Sequence, residues 1–230
     1  MGPLAAALWV GAAVGAGPNF TLTGTVSWSH PTPCAPALIS RDAHVCGALG
    51  PVYRQCVEAD DRGRIGGAVV YLEGASGKRP KPSTTLIDQL NCTFSPRVQA
   101  FAVGSRVQFI NSDPVLHNVR VLDPAGNTLG NYALPVKGQR TPALAFPRAG
   151  RYEVVCEAGH GWMNAHLLVF DHPYFAVTPP GGGFQLRGVP KGSYRLIAWH
   201  PDLGRVERPV EVQGDAAISL VLSGVLGSAP

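Results

Sequence analysis

The stretch VVCEAGHGWMNAHLLV, residues 154–169, decides how the rest of the chain is read. An apolar pair runs into Cys156, three residues separate Cys156 from His160, and two separate His160 from Met163. The chain turns apolar again at AHLLVFD. Short apolar runs on either side of a Gly-containing segment read as two strands joined by a tight loop. That loop carries a thiol, an imidazole and a thioether within eight residues.

Outward from this loop the texture is the same. Gly (28) and Pro (21) separate short runs of aromatic and β-branched residues, which reads as many strands joined by turns, with no long amphipathic helical pattern. The 230 residues suffice for one large or two small domains with real cores. Hydrophobic residues make up 45% and charged ones 15%, which excludes a disordered chain. The net charge of +4 is scattered, with no Lys/Arg stripe and no basic helix, so a nucleic-acid partner is not expected.

Residues 1–17 carry no charge and are small or apolar, and the run from Leu4 to Ala16 is too short to span a bilayer. Residues 1–19 read as a secretory signal and the remainder as a protein without stable membrane insertion, periplasmic or secreted. Export permits disulfides. Of five cysteines, Cys34, Cys46, Cys56 and Cys92 can pair in three ways, and Cys156 is the odd thiol. HVCG and LNCTFSPRV both abut strands, which favours Cys46–Cys92 and leaves Cys34–Cys56 to close the Pro-rich segment 30–56.

Strands are expected at FTLTGTVSWS (20–29), GGAVVYLEG (66–74), on both sides of Gly104 in 96–113, at LHNVRVL, on both sides of PRAG in 141–156, and at AHLLVFD. From about Asp171 five short strands with Gly/Pro turns follow. The expectation is all-β, two β-sandwiches in tandem, 20–170 and 171–230.

A free Cys is more often a small buried hydrophobe than a ligand. Here the placements reinforce one another, because Met163 is the sole Met after Met1 and sits close to His160, itself close to the odd Cys. Two His, one Cys and a weak axial Met form the trigonal blue-copper arrangement. NSDPVLHNVRV, residues 111–121, supplies the second imidazole, His117, in an alternating stretch, followed by Asn118.

NSDPVLHNV together with YEVVCEAGHGWM resembles the cupredoxins, closely over about 95–170 and loosely over 20–94. The resemblance implies a Greek-key sandwich holding one copper ion, with His117, Cys156 and His160 in the plane and Met163 axial. It also implies that Asn118 braces the Cys loop. Trp162, beside His160, would line an electron path. The Cys-to-His spacing resembles the second half of the dicopper loop of cytochrome oxidase. That loop has a further Cys where this chain has Tyr152, so one copper is expected. Glu157 introduces a second possibility, a red-copper-like site with a carboxylate. GGGFQLRGVPKGSYRLIAWHPDLG, from residue 181, resembles the transthyretin-like, carboxypeptidase regulatory-like module, which implies a structural role. Together the two modules resemble bacterial exported cupredoxin proteins of methylamine-utilization type.

The function expected is a one-electron carrier cycling between Cu(I) and Cu(II) with a redox partner protein, and not an enzyme. The rivals are copper storage, delivery or sensing, a small catalytic copper site, and a metal-free adhesion module. His30 and His44 are expected in solvent, His166 turned away from the metal, and His172 and His200 structural.

Overall fold

The computed structural model describes residues 19–226; the expected signal segment lies almost wholly outside them. The described residues form sixteen strands and no helix, so the fold is all-β, and no helix is long and apolar enough to cross a membrane. The strands build four sheets that pair into two sandwiches.

The first sandwich packs a five-stranded sheet against a four-stranded one. The five-stranded sheet has the order β5 (Val98–Ala102), β11 (Asn164–Phe170), β10 (Gly150–Val155), β7 (His117–Leu122), β8 (Thr128–Leu134). The four-stranded sheet has the order β4 (Thr93–Ser95), β3 (Thr84–Leu90), β6 (Arg106–Asn111), β9 (Leu144–Ala145). Alternation explains the assembly. In β7 the residues His117, Val119 and Val121 face inward, and in β10 Tyr152 and Val154 do so. They meet Ile87, Phe94, Phe101, Phe109 and Phe146 in one core.

The second sandwich pairs a three-stranded sheet with a four-stranded one. The first has the order β13 (Gly183–Pro190), β1 (Asn19–Trp28), β16 (Ala216–Leu222). The second has the order β12 (Phe175–Val177), β2 (Val69–Glu73), β14 (Gly192–His200), β15 (Gly204–Val212). Leu22, Val26 and Trp28 of β1 and Val70 and Leu72 of β2 share its core with Phe184, Leu196 and Leu220. At Gly24 of β1 an added Cβ would lie 1.8 Å from the carbonyl oxygen of Ile218, so β1 and β16 meet at a distance only glycine allows.

This corrects the expected boundaries. Residues 20–170 are not one unit: β1 and β2 belong to the second sandwich, and the first is inserted between β2 and β12. The physical reason is register. Alternation marks β1 as a strand with one buried face, but its partners lie 158 or more residues downstream.

The two sandwiches meet sheet to sheet. Val69 and Trp199 point away from the second core and pack with Val98, Leu168 and Phe170 from the outer face of the five-stranded sheet. Arg97 makes a bidentate pair with the buried Asp202 at 2.5 and 2.9 Å, and the Arg151 guanidinium lies 5.3 Å from the centre of the Trp199 ring. Both favoured disulfides are present, Cys34–Cys56 and Cys46–Cys92. Cys156 is the one free cysteine among the described residues.

Candidate metal centre

The site lies at the end of the first sandwich where β7 begins and β10 ends. The NSDP turn delivers His117 to the first position of β7. Asn111 builds the turn: its Oδ1 accepts the Asp113 N–H at 2.9 Å, and its Nδ2 donates to the carbonyls of Val115 and Leu134. Cys156 directly follows β10, and the loop to β11 is closed by two backbone bonds. Cys156 N–H donates to the Met163 carbonyl at 3.3 Å and Met163 N–H to the His160 carbonyl at 2.9 Å.

Three donor atoms converge. His117 Nδ1 and His160 Nδ1 are 3.2 Å apart, and Cys156 Sγ is 3.7 Å from His160 Nδ1. All three lie within 4.8 Å of one another, and all three residues are buried. Met163 packs its side chain into the same core, 2% exposed.

The far edges of both imidazoles are held by carboxylates. His117 Nε2 is 2.8 Å from Asp113 Oδ2, and His160 Nε2 is 3.0 Å from Asp42 Oδ2. A carboxylate accepts only, so in the neutral ring the proton sits on Nε2 and the Nδ1 lone pair faces inward. Asp113 also accepts the backbone N–H groups of Asn91 and Cys92, each at 2.8 Å.

The electrostatics match this geometry. Burial acts to lower the His117 pKa, but the Asp113 carboxylate and the Cys156 thiolate outweigh it and raise it to about 9. Burial acts to raise the Cys156 pKa, but bonds from His117, His160 and the Asn118 N–H bring it down to about 6. Desolvation likewise opposes ionisation of Asp113, and its bonds to His117, Cys92 and Asn91 hold its carboxyl below the usual carboxylate range. Two inward lone pairs at 3.2 Å repel unless a cation or proton lies between them. A thiolate with two imidazole nitrogens is a donor set that fits copper.

Asn118 lies across the loop. Its backbone N–H donates to Cys156 Sγ at 3.3 Å, its Oδ1 accepts the Glu157 N–H at 3.3 Å, and its Nδ2 donates to Asn131 Oδ1 at 2.7 Å. The Trp162 ring is 5.4 Å from the His160 ring and its Nε1–H donates to the Cys92 carbonyl at 3.0 Å. Glu157 points outward, half-exposed, in an ion pair with Arg120. The remaining histidines lie elsewhere. His30 and His44 are exposed, His166 packs on Trp199 at the junction, and His172 and His200 are buried and accept backbone N–H groups.

Sequence reasoning missed Asp113 and Asp42. Asp113 had a local signal, a carboxylate four residues before His117 on the same turn. Asp42 had none, being 118 residues from its partner. Two further donor groupings, Cys46–Cys92–His160 and Cys92–Asp113–His117, place the Cys46–Cys92 disulfide directly behind both imidazoles.

No family model matches the chain, and no curated protein sequence matches it. Solved structures do. A copper-containing nitrite reductase from Thermus scotoductus is similar at 26% identity and a TM-score of 0.31 over 42% of this chain and 24% of its own, so the chain spans about a quarter of that protein. A purple cupredoxin from Nitrosopumilus maritimus is similar at 24% identity and a TM-score of 0.31, over 37% of this chain and 99% of its own. Amicyanin from Paracoccus versutus is similar at 17% identity and a TM-score of 0.33, over 38% of this chain and 81% of its own.

Proposed function

We propose that His117, Cys156 and His160 would hold one copper ion, with Met163 as a further, weak donor, and that the protein carries single electrons to and from a redox partner protein. The observation that carries this reading is the convergence of the Cys156 sulfur and two Nδ1 atoms, each imidazole fixed by a carboxylate on its far side. Copper would supply the one-electron couple between Cu(II) and Cu(I). The chain's own residues do the rest. The β-strand end and the closed loop hold the donors at fixed separation, which keeps reorganisation small. Burial of all three donors keeps water from the metal. Asn118 directs a backbone N–H at the sulfur and so tunes the thiolate.

Electron transfer is favoured over storage by the donor inventory, a single free thiol and a single Met among the described residues. It is favoured over a carboxylate-bearing catalytic site by Glu157, which is turned to solvent and paired with Arg120. The two disulfides support an oxidising compartment, periplasmic or extracellular. The second sandwich, which resembles the transthyretin-like module in sequence, covers the outer face of the five-stranded sheet and so has a supporting role.

The test is to express residues 20–230 in an oxidising compartment, add Cu(II), and record absorption and electron paramagnetic resonance. An intense thiolate-to-copper band at one copper per chain is expected, and Cys156→Ser removes it without unfolding the chain. Colour retained in Cys156→Ser, or no copper bound by the parent protein, overturns the reading.

A further inference from the structure

The segment between β1 and β2 is an arm that leaves the second sandwich, reaches the first and returns. Its returning limb packs in the second core through Val57 and Ile65, while Cys46 and Val52, earlier in the segment, belong to the core of the first. Asp42 sits at the arm's turning point. Its carbonyl accepts the N–H groups of Val45 and Cys46 at 2.9 and 2.8 Å, and its φ is +52°, a left-handed conformation that non-glycine residues seldom adopt. Such outliers persist where the surroundings enforce them.

The enforcement is visible on both sides. Arg41 lies against the ligand loop so closely that a Cβ at Gly159 would fall 2.6 Å from its Cδ. Cys46, in the turn that Asp42 opens, is bonded to Cys92, and the Cys92 N–H is held by the same Asp113 that holds His117. One frame therefore runs from His117 through Asp113, Cys92, Cys46 and Asp42 to His160, and it passes behind both imidazoles. The Asp42 carboxylate ends it at His160 Nε2, and the His160 ring is fully enclosed.

We propose that Asp42 is a positioning residue of the metal centre, delivered by the arm of the second sandwich. Its carboxylate holds His160 as the Nε2–H tautomer with Nδ1 turned toward Cys156. It also makes that imidazole a stronger donor, which favours Cu(II) over Cu(I). The second of these effects rests on the copper reading above; the first does not.

The test uses the full chain with Asp42→Ala, Asp42→Asn and Asp42→Glu. In the metal-free protein, nuclear magnetic resonance should show a slowly exchanging Nε2–H proton of His160 that Asp42→Ala loses and Asp42→Glu restores. In the copper-loaded protein, Asp42→Ala should weaken Cu(II) about tenfold or more relative to Cu(I), and each tenfold step raises the midpoint potential by about 59 mV for one electron. Asp42→Asn keeps an acceptor without the charge, so it should retain the proton signal and still raise the potential. This variant decides the matter if Asp42→Ala fails to fold, as judged by its melting curve and a count of one free thiol. An unchanged His160 signal in Asp42→Ala, or an unchanged potential in foldable variants, overturns the role of Asp42. A parent protein that shows the His160 signal but takes up no copper overturns the copper reading while leaving the positioning role standing.

Discussion

Met163 and Cys156 sit in the same loop and the same core, but the chemistry assigned to them differs in kind. On the proposed reading the Cys156 thiolate would be a strong donor to copper and the Met163 thioether a weak one. Met163→Leu keeps volume and hydrophobicity in a buried position, so its cost to stability should stay below about 1.5 kcal/mol. Copper should remain bound, and the midpoint potential should rise because the more apolar site, with one donor fewer, disfavours the higher charge of Cu(II); voltammetry of the loaded protein measures it. Loss of all copper in this variant would show that Met163 is not a weak ligand. The convergence of Cys156 and His160 with His117 was legible because residue type and spacing coincide: one odd Cys and one His four positions on, with a His at the start of a neighbouring strand. The carboxylates behind the imidazoles were not, because a contact across 118 residues leaves no local pattern.

At the scale of elements, the strands nearest the site were legible from alternation, and those missed were the ones that alternate poorly. In β8 most residues are exposed or half-exposed, as befits an edge strand, and β3 follows a Pro- and Lys-rich loop that hides its start. The arm has no periodicity to read, because disulfides and a few backbone bonds, rather than a ladder, give it shape. Cys46–Cys92 closes a sequence separation of 46 residues and joins the arm to the turn behind β3. Replacing both cysteines by alanine should destabilise the protein by about 2–5 kcal/mol, seen as a lower denaturant midpoint. Because that disulfide also fixes the turn carrying Asp42, the copper spectrum should broaden in the same variant while Cys34–Cys56 remains intact. A midpoint unchanged from the parent would mean that the arm is held by its noncovalent contacts alone.

For the whole molecule, the tandem arrangement expected from sequence fails at β1, since a strand's alternation reports that one face is buried and not which sheet buries it. The consequence is that the second sandwich is built from strands on both sides of the first in the chain, with its junction built around polar groups as well as Trp199, Leu168 and Phe170. Two histidines stand there. Burial lowers His166, with the Arg97 charge adding to the effect, and its pKa falls to about 4. Burial lowers His200 as well, against the opposing pull of Asp202, again to about 4. Both are therefore neutral in the folded protein and ordinary, near 6.5, once the chain unfolds. Between pH 6.5 and 4 the unfolded chain takes up more protons than the folded one, so stability falls with pH across that window and levels off below it. Each histidine taken alone contributes on the order of 3 kcal/mol to this loss. Charging either ring also places a cation beside the Arg97–Asp202 pair and, for His166, near Arg151. Melting temperatures of the metal-free protein from pH 7.5 to 4 should therefore drop below pH 6.5. His166→Gln should flatten part of the slope, because an amide cannot take up the proton. A parallel decline in parent and variant would assign the loss to other groups and leave His166 a passive packing residue at the junction.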